Sequence, residues 1–390
     1  MNQAQVTITR RGAERARSGH LWIYRSDVRE ASEGARGGAV VGVRDERGKH
    51  VAQALWSDRS EIALRVLTLK EETIGREWWR ERLRRAAARR AELAPDAEAF
   101  RLVYAEGDLL PSLIVDKYAD VLVLQTLSQG TEAHKELLVE LLVEEFEPRA
   151  IIERNDVRVR SLEGLEMRAG VVYGDAPEEM DVVQHGVRFR VAPLGGQKTG
   201  AFLDQRENHF AARTYARGRA LDCFTFNGGF ALNIAPACES VLALDVSADA
   251  VAASRRNAGA NAAHNVEFRE ANVFDALREL EAEHARFDTV ILDPPAFAKN
   301  RASVRAAARG YKEINLRALK LLEPGGILIT CTCSYHMSEA AFLELLTEAA
   351  ADAHRRVQLV ERRIQSRDHP VLVGVPETLY LKCIIARVIE

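Results

Sequence analysis

Two kinds of hydrophobic spacing divide this chain. Up to about residue 73, short apolar runs alternate with Gly-rich turns, as in Ala39-Val40-Val41-Gly42-Val43 and Ile62-Ala63-Leu64-Arg65-Val66-Leu67. That is the pattern of a small β-rich domain. A helical stretch from about Arg76 to Leu93 ends before Pro95, whose fixed φ and missing donor stop a helix. The runs Ser112 to Asp116 and Val121 to Gln125 flank the turn Lys117-Tyr118-Ala119-Asp120 and predict a hairpin. A helix from about Glu132 to Glu145 and strands near Ala150 to Glu153 and Val187 to Val191 follow, giving a second, small α+β unit between about 75 and 178. From about Asp204 the rhythm changes to strand and then helix-length segment. Apolar strands are expected at 220–222, 241–245, 265–268, 289–292 and 327–330, which predicts a doubly wound α/β sheet.

An open parallel sheet places its chemistry at the carboxyl ends of its strands. One predicted strand runs into Asp293-Pro294-Pro295-Ala296-Phe297 and the next into Cys331-Thr332-Cys333-Ser334, with a helical crossover from about Ser303 to Leu322 between them. An acid and a thiol therefore share one edge. The first strand ends at Asp222 and opens into Cys223-Phe224-Thr225-Phe226-Asn227-Gly228-Gly229-Phe230, where glycine lets the backbone approach a ligand. Asp245 follows 23 residues later at the end of the second strand, where a carboxylate can accept both hydroxyls of a ribose. No G-x-G-x-x-G fingerprint and no P-loop lysine accompanies these glycines. S-adenosylmethionine, which has an adenosine but no pyrophosphate, fits better than a nicotinamide dinucleotide or a nucleoside triphosphate. After the third strand, Asn272 has two readings, a contact to the adenine edge or a helix N-cap.

At 390 residues two or three domains are expected, and 47% hydrophobic with 28% charged residues is a globular composition. There is no apolar run long enough to span a bilayer and no signal-peptide core at the N-terminus, so a cytoplasmic protein without a membrane partner is expected. Five cysteines in no framework spacing fit a reducing compartment. Core packing accounts for Cys223, Cys238 and Cys383, and His209 is expected on a helix surface with a general-base role open. Cys331, Cys333 and His336 lack a fourth ligand at a zinc spacing, so no metal is expected. A net charge of -3 offers no global attraction to nucleic acid, and binding would need local patches. One candidate is the group Arg10, Arg11, Arg15, Arg17, His20 and Arg25 around Trp22 and Tyr24. The other is Trp78 to Arg90, including Arg82 and Arg85, which reads equally well as a solvated helix face.

The segments Gln197-Lys198-Thr199-Gly200-Ala201-Phe202-Leu203-Asp204-Gln205-Arg206, Asp222-Cys223-Phe224 with Asn227-Gly228-Gly229-Phe230, Asp293-Pro294-Pro295-Ala296-Phe297, Gly310-Tyr311-Lys312-Glu313-Ile314-Asn315 and Thr332-Cys333-Ser334 carry a family resemblance. Together the chain resembles the bacterial large-subunit (23S) rRNA 5-methylcytosine methyltransferases. The resemblance implies a PUA RNA-binding domain at 1–74, carried by Ser18 to Tyr24, a central α+β domain at 75–178 and a Rossmann-like class I methyltransferase domain at 179–390. It implies S-adenosylmethionine as cofactor, with Asp222, Phe224, Asn227 and Gly228 lining it, Asp245 at the ribose and Asn272 at the adenine. The family often has Asp at the position of Asn272, whose amide oxygen can still accept from the adenine amino group. Asp293 and Pro294 would stand at the junction of cofactor and base. Gln205, Arg206 and Lys198 belong to a segment expected to close over the site, where Lys198 and Arg206 are either phosphate or cofactor contacts or plain surface charges.

Carbon 5 of cytosine is a poor nucleophile, and such enzymes first add a thiolate to carbon 6. The resemblance gives that role to Cys333, with Asp293 supporting protonation at N3 and the base for the carbon 5 proton unnamed. Pro295 and Ala296 occupy the place where many RNA 5-methylcytosine enzymes carry a second, product-releasing cysteine. The arrangement is closer to that of 5-methyluridine enzymes, and Cys331 reads as a buried small hydrophobe. Two other functions fit the same residues: guanine-N7 methylation, which needs no thiol, and a non-catalytic RNA-binding or assembly factor. The partner expected is 23S rRNA or a large-subunit particle, with RNA contacts from Arg10, Arg11, Trp22, Lys198, Arg82 and Arg85, and a homodimer is open.

Overall fold

The computed structural model describes residues 3–94, 97–196, 199–298 and 303–390. The chain forms two compact units: 1–182 with 191–203 and 367–378, and 183–190 with 204–366 and 379–390.

The first unit holds two sheets. β1 (Gln5–Ile8), β2 (Trp22–Tyr24), β3 (Val28–Ala31), β4 (Val40–Asp45), β5 (His50–Trp56) and β6 (Ile62–Thr68) form a sheet in the order β2-β6-β5-β4-β1-β3. Alternation buries Val6, Ile8, Ile23, Val41, Val43 and Leu64 in its core. The helix α1 (Arg10–Arg17) lies between β1 and β2, capped by Thr9, whose hydroxyl accepts the Gly12 amide at 3.1 Å. The second sheet contains β7 (Ala99–Tyr104), β8 (Leu113–Tyr118), β9 (Val121–Thr126), β10 (Ala150–Arg154) and β11 (Ala169–Gly174) in the order β11-β10-β9-β8-β7. β8 and β9 make the hairpin expected from the sequence.

Against this sheet packs α2 (Arg76–Leu93), which buries Trp79, Leu83, Ala86 and Arg90 on one stripe. The expected helix after β9 is broken into α3 (Gln129–Ala133) and α4 (Lys135–Phe146), with Ser128 and Thr131 closing a capping box. The fully buried Arg90 guanidinium meets Asp108 through two bonds of 2.7 Å and also donates to the carbonyl of Asp368 at 2.7 Å. A segment near the C-terminus is thereby tied into the first unit. Val375 from the same segment joins the core of the first sheet. β12 (Met180–Gln184) and β13 (Val187–Val191) pair as a two-stranded sheet.

The second unit is built on seven strands: β14 (Gly218–Cys223), β15 (Cys238–Asp245), β16 (Val266–Glu270), β17 (Phe287–Leu292), β18 (Leu322–Thr332), β19 (Val357–Ile364) and β20 (Lys382–Val388). Their order is β16-β15-β14-β17-β18-β20-β19. Pairs from β16 through β18 are parallel, and β20 runs antiparallel to both β18 and β19. The helices are α5 (Arg206–Ala212), α6 (Gly229–Ile234), α7 (Ala248–Ala260), α8 (Val273–Ala282), α9 (Val304–Leu321) and α10 (Glu339–Asp352). Near-continuous apolar strands such as Val290-Ile291-Leu292 are fully buried because helices cover both faces. The doubly wound sheet predicted from residue 204 onward is present, and its order switches at β14, where β15 and β17 leave in opposite directions.

Candidate active site

The site grows from the carboxyl end of β14. Asp222 is completely buried, and one carboxylate oxygen accepts from the Thr225 hydroxyl at 2.6 Å and the Ala231 amide at 3.0 Å. Its other oxygen, equally buried, has no hydrogen-bond partner. Burial, followed by the nearby charges of Asp293 and Asp245, pushes its pKa up to about 7. A buried carboxylate oxygen facing no donor is costly, and a ligand with polar hydrogens or positive charge would satisfy it.

The loop after Asp222 is held in an unusual backbone conformation. Phe224, Phe226 and Gly228 have φ of 67°, 50° and 88°, so left-handed residues alternate along it. For the two phenylalanines this is strained, and such strain gathers where a loop must shape a binding surface. The loop is pinned from several sides. Thr225 donates its amide to the Leu244 carbonyl at 3.0 Å, Ser254 bonds the Phe226 carbonyl at 2.7 Å and Asn257 bonds the Asn227 carbonyl at 3.0 Å.

Asp245 at the end of β15 accepts the Phe226 amide on one oxygen and the Ser247 amide on the other, both at 2.9 Å. Its carbonyl accepts the amide of Ala271, the neighbour of Asn272. Asn272 caps α8, its side chain accepting the Phe274 amide at 3.0 Å. The cap reading of Asn272 is thus realised, and its amide hydrogens remain available to face an adenine.

On the other side of β14, the Asp293 amide donates to the Cys223 carbonyl at 3.3 Å. Its carboxylate accepts the amide of Gln205 at 2.7 Å, and Gln205 itself is fixed by Asn208, which donates to it at 2.7 Å. The half-buried Cys333 thiol, one residue past β18, lies 4.0 Å from the carbonyl of Pro294. A hydroxyl cluster clamps both neighbours of Cys333. The Tyr311 hydroxyl bonds Thr332 at 2.8 Å and Ser334 at 2.9 Å, while Ser334 accepts the Ala298 amide at 3.1 Å.

The structure therefore gathers Gln205, Asp222, Phe224, Asn227, Gly228, Asp245, Asn272, Asp293, Pro294 and Cys333 along one sheet edge. Arg206 is buried and its guanidinium lies 3.5 Å from His185 and 3.8 Å from Glu207, so it is no surface charge. Lys198 lies outside the described residues. His209 is buried rather than on a helix surface, because Gly229 has no Cβ and lets the imidazole approach the backbone of α6. Desolvation pushes its pKa down to about 3, leaving it neutral, edge-on to Phe230 at 4.5 Å.

The RNA-contact candidates belong to the first unit. Arg10 pairs with Glu14, Arg11 with Asp27, and the Trp22 indole donates to Glu106 at 2.9 Å. Arg85 pairs with Glu81, and Arg82 lies over the Trp78 ring at 4.9 Å. Tyr311, which bonds both neighbours of Cys333, has no signal in the sequence beyond the segment Gly310 to Asn315 that contains it.

The sequence matches the S-adenosylmethionine-dependent methyltransferase family over residues 160–385 and a PUA-like domain over residues 6–69. It is 40% identical over 379 residues to ribosomal RNA large subunit methyltransferase I of Tolumonas auensis, covering 95% of this chain and 96% of that one. The chain belongs to the ribosomal RNA large subunit methyltransferase I family. The corresponding protein of Shewanella amazonensis is 40% identical over 377 residues, with 95% of each chain covered. In fold, the chain superposes on SMU.776 solved in complex with SAH, with a TM-score of 0.83 and 17% identity over 98% of this chain and 99% of that one. As a member of the family it is a class I, S-adenosylmethionine-dependent methyltransferase with a PUA-like domain at its N-terminus. The orphaned oxygen of Asp222 and the strained loop beside Asp245 fit that cofactor, which carries an ammonium and ribose hydroxyls as donors for carboxylates.

Proposed function

We propose that this chain methylates carbon 5 of a cytosine in 23S rRNA through a covalent adduct at Cys333. The observation that carries the proposal is the placement of the Cys333 thiol 4.0 Å from the Pro294 carbonyl, beside Asp293 and at the same edge as Asp222 and Asp245. Its rRNA substrate class follows the names of the relatives, which are 39–40% identical over 95% of the chain.

S-adenosylmethionine supplies an electrophilic methyl group. Asp222, Asp245 and the loop between Phe224 and Gly228 bind and orient it, with Asn272 at the adenine. Cys333 as thiolate forms an S–C6 bond, and the displaced π electrons move into the ring, where Asp293 supports a proton at N3. Carbon 5 is then electron-rich enough to take the methyl group. Loss of its proton to a base drives the electrons back and breaks the S–C6 bond. Gln205 fixes the Asp293 carboxylate through these changes, and Tyr311 with Ser334 and Thr332 holds the thiol loop.

The target base must leave its stack to reach this edge. Arg10, Arg11, Trp22, Arg82 and Arg85 are the proposed RNA contacts, with either free rRNA or a large-subunit particle as partner and the cytoplasm as location. Among the described residues no helix is long and apolar enough to cross a membrane. The exposed apolar residues Val171, Val172 and Tyr173 on the edge strand β11 support a homodimer.

The test is methyl transfer from isotopically labelled S-adenosylmethionine to unmodified large-subunit rRNA, followed by digestion and mass analysis of nucleosides. Labelled 5-methylcytidine, lost in Cys333→Ala while cofactor affinity is kept, is expected. Labelled 7-methylguanosine with an active Cys333→Ala would replace the covalent mechanism by guanine-N7 methylation. No label on rRNA or subunits would favour a binding or assembly role.

A further inference from the structure

Lys382 is a lysine inside a sheet. The residues that follow it in β20, Cys383 to Ala386, are buried and, apart from the thiol, purely aliphatic, and Lys382 itself is only 5% exposed. The strand register sets it opposite Thr332, the residue before Cys333. Its ammonium donates to the Ser334 carbonyl at 3.2 Å and the Tyr380 carbonyl at 3.1 Å, which brings it to the backbone immediately after Cys333. Two of its three hydrogens are used by neutral acceptors, and no carboxylate pairs with it among the described residues. A buried ammonium without an anion is expensive and calls for one.

Among the described residues, the charged and titratable groups around Cys333 leave few candidates for that anion. Asp293 stands across the edge, but one of its oxygens already accepts from Gln205. Glu339 at the start of α10 is held by Arg362 at 3.1 Å. Tyr311 on α9 is engaged by Thr332 and Ser334, and burial pushes its phenol further from ionisation. The Cys331 thiol, opposite Cys383 in the register, is completely buried and pushed well up, so it stays protonated. Burial lowers the pKa of Lys382, and the charges of Cys333 and then Glu339 oppose that lowering.

We propose that the Lys382 ammonium is the counter-charge that holds Cys333 as a thiolate, which makes Lys382 a positioning residue for the nucleophile. The proposal rests on the reading of Cys333 as the attacking thiol. In the resting state the Cys333 proton leaves to solvent, the sulfur keeps the electron pair and Lys382 keeps all three of its hydrogens. No bond to nitrogen forms. When sulfur adds to carbon 6 its negative charge leaves the pair, and the ammonium is left with its two carbonyls.

The experiment measures the rate at which iodoacetamide alkylates Cys333 against pH, by peptide mass analysis of the full chain, in the native protein, Lys382→Met and Lys382→Arg. In Lys382→Met the pH midpoint for Cys333 should rise by about one unit or more, while Lys382→Arg stays near the native value. Methyl transfer near neutral pH should fall about tenfold in Lys382→Met, with its acid limb displaced by the same amount. Lys382→Gln, which can still bond both carbonyls, carries the same expectation and replaces the Met variant should that one not fold. A folded, uncharged variant with an unshifted alkylation midpoint overturns the proposal and leaves Lys382 as a bridge between two carbonyls. A shifted midpoint together with full turnover in Cys333→Ala overturns the nucleophile reading instead, while the charge relation stands.

Discussion

Gln205 donates its side-chain amide to the carboxylate of Asp293 at 2.7 Å. The first residue comes from a 3-10 turn ahead of α5 and the second from the loop after β17, so 88 residues of chain separate the partners. Gln205 fixes one oxygen of Asp293 and leaves the direction of the other determined. Gln205→Ala should therefore lower kcat by about 10- to 100-fold, the scale of an ångström-level misplacement of a reacting group. Gln205→Glu, which sets a second carboxylate against the first, should lose at least as much. Single-turnover methyl transfer checks this, and an unchanged rate in Gln205→Ala would mean that Asp293 needs no such support.

The buried Asp222 makes stability depend on pH in a direction opposite to most carboxylates. Its folded pKa of about 7 lies above the ordinary value, so the folded chain holds a proton that the unfolded chain releases from about pH 4 upward. The associated stability is fully present below about pH 4 and is lost as pH rises through about 7. Without cofactor, thermal melts should show the native protein losing stability relative to Asp222→Asn across that window. Parallel pH profiles for the two proteins would refute the assignment. Cofactor affinity should correspondingly be higher at pH 8 than at pH 6, because the ligand favours the ionised carboxylate.

Asp245 is pre-organised by the amides of Phe226 and Ser247, one on each oxygen. Asp245→Ala should weaken S-adenosylmethionine binding by at least about tenfold, equivalent to about 1.4 kcal/mol. Asp245→Asn, which keeps the shape and one acceptor, should fall between. Titration calorimetry decides it, and unchanged affinity in Asp245→Ala would remove the ribose assignment.

The apolar rhythm made the α/β sheet legible from residue 204 onward, because fully buried parallel strands leave runs such as Thr289-Val290-Ile291-Leu292 that few other environments tolerate. The acids at the ends of those strands were legible for the same reason: a charged residue directly after a buried strand has to emerge at the sheet edge. What could not be read was long-range pairing. Gln205 reaches Asp293 across 88 residues and Lys382 reaches Ser334 across 48, and neither separation has a period. His209 was misplaced because its burial depends on the missing Cβ of Gly229, twenty residues away. The two faces of the basic helix were equally hidden, since Arg85 and Arg90 look alike in sequence while one is solvated and the other is enclosed.

That contrast within α2 gives a prediction in two parts. Arg90 is enclosed and bonded to Asp108 twice, while Asp108 keeps Arg89 and the Tyr104 amide as further donors, so Arg90→Met should cost about 1.5–3 kcal/mol through the lost charge-assisted bonds. Arg85 is exposed beside Glu81, and Arg85→Ala should cost no more than about 1 kcal/mol. If Arg82 and Arg85 contact phosphates, replacing either with Ala should weaken RNA binding and lower the slope of log K against log salt by about one. Urea denaturation and salt-dependent RNA titrations separate these effects. An unaltered slope in both variants would return the helix to the role of a solvated face.

Tyr311 offers the sharpest separation between positioning the thiol and charging it. Its hydroxyl joins Thr332 and Ser334, which flank Cys333, and Ser334 in turn holds the amide of Ala298 from the loop after β17. The Ser334 hydroxyl thus couples the thiol loop to the Asp293 loop, the phenol braces Ser334 and Thr332, and Tyr311→Phe removes that brace without changing any charge near the sulfur. Stability should fall by about 1–3 kcal/mol because buried hydroxyls lose a partner. Turnover should fall by about tenfold or more, while S-adenosylmethionine affinity is kept, because Asp222 and Asp245 belong to other strands. The pH midpoint for Cys333 alkylation should stay at its native value, in contrast to Lys382→Met. If Tyr311→Phe instead moved that midpoint as far as Lys382→Met does, orientation of the loop, and not the ammonium, would govern the ionisation of Cys333.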